Sequence, residues 1–301
     1  ARGTLVCATM RAFGTRQEGN IPRSFRGGVT WFLIPVALLT LLLAAVWHEP
    51  KESSLEPTAG GLTVFVPTFE RLPVVAGGHY ELWVRGPGGG TERLAAFVVS
   101  EGGTMLSTSG EPVQEFLVSD LPLGGSEMFL TVEQSLVEGK SPSNRMLLRG
   151  TLSKADVTFQ PTLPSLSGAG VALLLAPTDA KVPDTSGLWF AKPTSKKGAP
   201  GLGLQLPVLE EGSGWTYGGF VTTAAGTMLP TGAFTDPQKP DSRDAWGGRR
   251  SGLPFPGEDF VRNPPEGVQF PLNLADGRTT ITVGLLPDFI PDASEPYVAL
   301  L

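Results

Sequence analysis

FVVSEGGTMLST at 97–108 and FVTTAAGTMLPT at 220–231 align without a gap. Seven of the twelve positions are identical, at a fixed offset of 123. Flanking elements keep the same order. Leu82-Trp83 precedes the first copy and Leu188-Trp189 the second, while Leu130-Thr131-Val132 and Ile281-Thr282-Val283 follow them. This order predicts an internal duplication, giving two tandem β-sandwich modules at 62–154 and 155–301. The larger second copy implies insertions, the longest being the Pro/Gly/Asp-rich stretch 236–265.

Strand patterns fill the rest of both modules. LTVFVP (62–67), HYELWVR (79–85), RLAAFVVS (93–100), EFLVSD (115–120), MFLTVEQS (128–135) and RMLLRGTLS (145–153) are short and bounded by turn residues. The second half repeats this with GVALLLAP (170–177), SGLWFAK (186–192), WTYGGFVTT (215–223), TTITVGLL (279–286) and YVALL (297–301). In HYELWVR, Tyr80, Leu82 and Val84 alternate with Glu81, Trp83 and Arg85, which predicts a half-buried strand. No stretch reads as a soluble helix. The class expected is mainly β.

One segment is different in kind. VTWFLIPVALLTLLLAAVW at 29–47 is 19 residues without a charge. As a helix it would reach roughly 28 Å, close to the hydrocarbon thickness of a bilayer. Trp31 and Trp47 stand where interfacial anchors do, and Pro35 falls in the first two turns, where lipid tolerates a kink. Residues 1–28 carry Arg2, Arg11, Arg16, Arg23 and Arg26 against Glu18, while Glu49, Glu52 and Glu56 outweigh Lys51 after the run. The positive-inside rule then predicts a basic cytoplasmic tail (1–28), a transmembrane helix (29–47), a polar linker (48–61) and a periplasmic bulk in a bacterial inner membrane. A cleaved signal peptide fits less well, because Ala45-Val46-Trp47 makes a poor cleavage site.

Composition narrows the classes further. The chain has one cysteine, Cys7, so the part beyond the apolar run has no disulfides and must be held by its core. Its 39 glycines and 28 prolines suit short strands and tight turns. A net charge of −6, concentrated beyond the run, argues against a nucleic-acid partner there.

Tyr80, Leu82, Trp83 and Val84, then Leu130, Thr131, Val132 and Glu133 with Ser141-Pro142 following, resemble the extracytoplasmic domain of anti-sigma-K factors. The second copy is similar more weakly, since Gly284 stands where that pattern has Glu. GLWF, GWTYGGFV, TGAFTDP and PGEDF, between Gly187 and Phe260, also resemble exported bacterial β-domain proteins of the same broad type. The resemblance implies the fold of the outer modules. It argues against the family's activity, because sigma capture uses a helical cytoplasmic domain, often with a His-x3-Cys-x2-Cys zinc motif. Residues 1–28 contain one cysteine and no histidine.

Catalytic signatures are sparse. The two histidines are His48, beside the apolar run, and His79, opening a strand. No Gly-x-Ser-x-Gly elbow, haem-attachment motif or Walker A loop occurs. Asp236, Asp241 and Asp244 share a loop that would offer oxygens to calcium, but Lys239 and Arg243 interleave and the spacing is not that of an EF-hand. Glu258-Asp259 would form a carboxylate pair with Glu81 or Glu133 only if the fold joined them. No catalytic residue, metal site or cofactor is therefore expected. The partner-contact candidates are the tail arginines Arg11, Arg16, Arg23 and Arg26 and the aromatics Trp215, Tyr217, Trp246, Phe255 and Phe260. The insertion 236–265 is too apolar for a free linker, so it packs on its own domain or docks on a partner. The function expected is a non-catalytic single-span accessory or scaffolding subunit of a larger membrane-protein complex, such as a respiratory or photosynthetic one. The alternatives are an anti-sigma-like transmembrane regulator or sensor and an envelope carbohydrate-binding module.

Overall fold

Four short loops of this chain close in the same way. The N–H of Gly86, Ser100, Ser107 and Thr223 each donates to the carbonyl four residues on, and the glycine three residues on (Gly89, Gly103, Gly110, Gly226) donates back to the first residue. Those glycines have φ between 78° and 91°, a region that a side chain disfavours. In three of the loops the Ser or Thr hydroxyl also accepts an N–H from the fourth residue on. The computed structural model describes residues 8–16, 62–69, 72–119, 125–134, 141–153, 156–163, 169–194 and 200–301. Within them the chain is mainly β, joined by turns of this kind.

Nine strands form the first sheet. They are β1 (Ala8–Arg16), β2 (Leu62–Phe69), β3 (Gly78–Arg85), β4 (Thr91–Val99), β5 (Met105–Ser107), β6 (Phe116–Ser119), β7 (Glu127–Gln134), β8 (Met146–Ser153) and β9 (Asp156–Pro161). Their order is β5-β4-β3-β7-β8-β9-β1-β2-β6, every pairing antiparallel. The two edges, β5 and β6, are consecutive in sequence. The link from Ser107 to Phe116 spans at most about 30 Å, whereas a flat nine-stranded sheet would set its edges about 38 Å apart. The sheet therefore rolls. Phe97 of β4 meets Phe116 of β6 at 5.8 Å between ring centres and Phe69 of β2 at 5.7 Å, although those strands are far from β4 in sheet order. Rolling buries Phe65, Phe97, Phe116 and Phe159 together.

The second half has smaller sheets. β14 (Trp215–Thr222), β15 (Met228–Phe234), β17 (Thr280–Pro287) and β18 (Val298–Ala299) run in the order β15-β14-β17-β18. β10 (Leu173–Leu174), β11 (Gly187–Trp189) and β16 (Gly257–Asp259) form a three-stranded sheet, and β12 (Ala191–Lys192) pairs with β13 (Gly201–Leu202). Gly219 lets β14 approach the ring of Phe190, since a Cβ there would lie 2.6 Å from that ring.

The duplicated stretch is a duplicated hairpin. Phe97, Val98 and Val99 pair with Ser107, Leu106 and Met105, and Phe220, Val221 and Thr222 pair with Pro230, Leu229 and Met228. The register is the same pair for pair. The flanking elements do not repeat. β4 pairs next with β3, which precedes it, while β14 pairs next with β17, which follows it. Leu188-Trp189 lies in a separate sheet. What recurs is therefore one hairpin, held by one turn chemistry.

The alternation of HYELWVR does not produce a half-exposed strand. Glu81 and Trp83 are as buried as Tyr80, Leu82 and Val84. Charged side chains provide cover on the Glu81 and Trp83 face: Arg93 reaches Glu81 at 2.7 Å, and the Arg85 guanidinium lies 5.1 Å over Phe129, the register neighbour of Trp83.

The two halves share one core, which runs from Phe65 to Tyr297. Tyr80 donates to the Pro73 carbonyl at 2.7 Å, and its hydroxyl lies 2.8 Å from that of Tyr297. Arg145 joins Asp288 at 2.8 Å and Glu133 at 3.5 Å, and sits 5.0 Å over the Phe289 ring. Tyr297→Phe should remove one buried hydrogen bond between the halves. We expect a loss of about 1 kcal/mol in urea unfolding, with the transition remaining single.

The N-terminal segment brings one correction. Residues 8–16 belong to the stretch expected as a basic tail, yet they form β1, between β2 and β9. ATMRAFGTR is rich in small and charged residues, so strand propensity did not reveal it. Arg11 and Arg16 therefore lie in a strand. Arg23, Arg26, Trp31, Pro35, Trp47, the run 29–47 and the linker lie outside the described residues. Among the described residues no helix is long and apolar enough to cross a membrane. Arg16 is the register partner of Leu62, so this pairing keeps the two positions side by side. A chain that crosses a bilayer once between them holds them on opposite sides, so pairing and crossing are mutually exclusive.

Candidate functional site

The densest buried polar chemistry gathers on β16, three residues long. A Cβ on Gly187, opposite in β11, would lie 2.2 Å from Asp259 Oδ1, so glycine lets the carboxylate in. Asp259 is fully buried and accepts from Trp189 Nε1 at 2.9 Å, from the Thr178 N–H at 2.8 Å and from the Thr178 hydroxyl. The Thr178 oxygen in turn accepts the Gly248 N–H at 2.6 Å. Glu258, 2% exposed, accepts the N–H of Ala245 at 3.1 Å and of Asp259 at 3.1 Å. Asp241 accepts the Gly257 N–H at 2.8 Å and the Arg243 N–H at 3.2 Å.

These carboxyls are buried with too little cation to match them. Desolvation pushes Glu258 up to about 8, against backbone hydrogen bonds that lower it, and the neighbouring Asp241 adds to the rise. Desolvation likewise takes Asp241 to about 7 and raises Asp259. At neutral pH Glu258 is largely the neutral acid. Such an acid can donate as well as accept. The nearby depressions are lined by Asp241 and Lys239, or by Arg243, Asp244 and Asp292. The hydrogen bonds form a clasp that ties residues 178, 189, 241, 245 and 246 to one short strand, with Gly248 held through Thr178.

A raised folded-state value has a definite pH consequence. Below the ordinary glutamate value of 4.5 both states carry the proton. Above it the unfolded chain releases the proton first, so stability falls as pH rises towards about 8 and then levels. We expect a fall on the order of 3 kcal/mol across this window, read by urea titration. Glu258→Gln should make it shallower, leaving the part that Asp241 and Asp259 contribute.

The expected site residues fare differently. Trp215, Tyr217, Trp246 and Phe260 are buried, and Phe255 is partly buried. Trp246 packs on Phe260 at 5.4 Å and on Phe270 at 5.9 Å. These four aromatics are core and not exposed anchors, and the insertion 236–265 packs on its own domain. The apolar character of that insertion was the signal, and burial was the reading it supported. Asp236, Asp241 and Asp244 do not converge as a chelate. Asp236 holds Gln238 and Lys239, while Asp241 turns to Gly257. Among the described residues no group of His, Cys, Asp and Glu is arranged to hold a metal ion. Glu258-Asp259 meets neither Glu81 nor Glu133. Glu81 pairs with Arg93 and with His79 Nε2 at 3.2 Å, and Glu133 pairs with Arg145. In sequence the clasp shows only as a carboxylate doublet, because its partners lie 13 to 81 residues away. No family model, curated protein or solved structure matches this chain, so its reading rests on its own residues.

Proposed function

We propose that the chain is a non-catalytic accessory subunit of a bacterial membrane-protein complex. In this reading 29–47 crosses the inner membrane once and the β body stands on the periplasmic side. The observation that carries it is the uncharged 19-residue run with arginines before it and glutamates after it. A shared core and the Arg145 and Tyr297 ties support a body that acts as one rigid unit. The test is gentle detergent extraction, native separation and mass spectrometry of whatever migrates with the chain. A stoichiometric assembly of multi-span proteins is the expected result. A lone chain, or one carrying a sigma factor, would sink the reading and favour a regulator.

One observation favours a second reading. β1 pairs with β2 and β9, which places residues 8–16 beside the body. If that pairing persists in the cell, the run 29–47 does not cross between them, and residues 8–16 lie on the same side of the membrane as the β body.

A further inference from the structure

β1 is joined to its sheet differently from every other strand. The eight others reach their sequence neighbours through short connections, whereas 45 residues separate β1 from β2. It is nonetheless an interior strand, with eight register pairs to β2 and four to β9. Its partners are among the most buried positions of the molecule. Ala8 registers with Phe159, Met10 with Val157 and Ala12 with Phe65, at 2%, 1% and 0% exposure. β2 and β9 do not pair with each other. They meet through the Phe69 and Phe159 rings, 6.1 Å apart. Without β1, each would present a row of unpaired N–H and C=O groups next to the core, which is costly. Such an edge is a template for another strand.

The crossing supplies the circumstance in which β1 is missing. A chain inserted through 29–47 carries residues 8–16 on the far side of the bilayer. We propose that the slot between β2 and β9 is then a strand-acceptor site, and that it takes an extended segment of a partner subunit. This rests on the accessory-subunit reading and names the surface through which that subunit grips. Residues 8–16 describe what fits. The occupant is an antiparallel segment of about nine residues, without internal proline. Small or unbranched apolar residues stand at the alternate positions that register with Phe159, Val157 and Phe65. Main-chain hydrogen bonds on both sides give affinity, and the alternate positions give selectivity.

The test uses the full chain in membrane vesicles whose outer face carries the β body, as shown by protease digestion. The probe is a fluorescent peptide of sequence ATMRAFGTR, with a second peptide carrying Met10→Pro. An impermeant thiol reagent reports on Cys7, the one cysteine of the chain. The proposal expects Cys7 to be protected until detergent is added, saturable binding of the first peptide, and binding of the proline peptide weaker by about tenfold or more, since proline removes a main-chain donor. Protected Cys7 with no binding, or with equal binding of both peptides, overturns the slot and leaves the crossing standing. Cys7 reactive from the outer face overturns the crossing, and the slot proposal with it.

Discussion

Asp259→Ala should destabilise the protein by about 3–5 kcal/mol, enough to lower its melting temperature on the order of 10 °C. Three buried donors lose their acceptor at once: Trp189 Nε1–H, the Thr178 N–H and the Thr178 hydroxyl. The Thr178 oxygen also anchors Gly248, so the loss spreads into the insertion. Asp259→Asn keeps one acceptor oxygen and removes the buried charge, so its loss should be clearly smaller, about 1–2 kcal/mol. Urea unfolding of the two variants beside the parent chain decides this. Equal, small effects would mean that the clasp does not hold the second half together.

Phe97→Ala should cost a similar amount, about 3–5 kcal/mol, because a buried ring is removed from a site that cannot collapse around the gap. The argument is specific to the rolled sheet. In a flat sheet Phe97 would meet only its neighbours, such as Tyr80 at 5.4 Å. In the rolled one it also touches Phe69 and Phe116 from the far end. Val98→Ala, one position along on the opposite face, should cost well under half as much. Comparable losses at 97 and 98 in denaturant titrations would contradict the roll.

Much of the fold could be read from sequence, and the failures have physical causes. Strands β2, β3, β4, β6, β7, β8, β14 and β17 fall where β-branched and aromatic runs end at turn residues. The common hairpin register at 97–108 and 220–231 goes with a common five-residue connection whose glycine has φ > 0. β1 escaped because alanines, arginines and glycine carry little strand signal, and only the edges of β2 and β9 make a strand of them. Whole-module duplication was over-read for the opposite reason. Leu-Trp and Leu-Thr-Val are generic core patterns, and the sheets arrange them differently. Glu81 and Trp83 show the limit of alternation. Arg93 from the neighbouring β4 and Arg85 from β3 itself help cover a face that period-two logic assigned to water. Trp215, Tyr217, Trp246 and Phe260 show the matching limit for aromatics: beside glycines and prolines they looked exposed, but they pack on other rings of the core, Trp215 on Tyr297, Tyr217 on Phe234 and Trp246 on Phe260.

The account turns on whether residues 8–16 and 62–69 lie on opposite sides of a bilayer. Cys7 makes this measurable without mutation: spheroplasts carrying the chain are treated with an impermeant maleimide before and after lysis. A single crossing predicts no labelling of intact spheroplasts and full labelling after lysis. Labelling of intact spheroplasts would place the N-terminal segment with the β body, leave β1 in its own sheet, and contradict the membrane-subunit account.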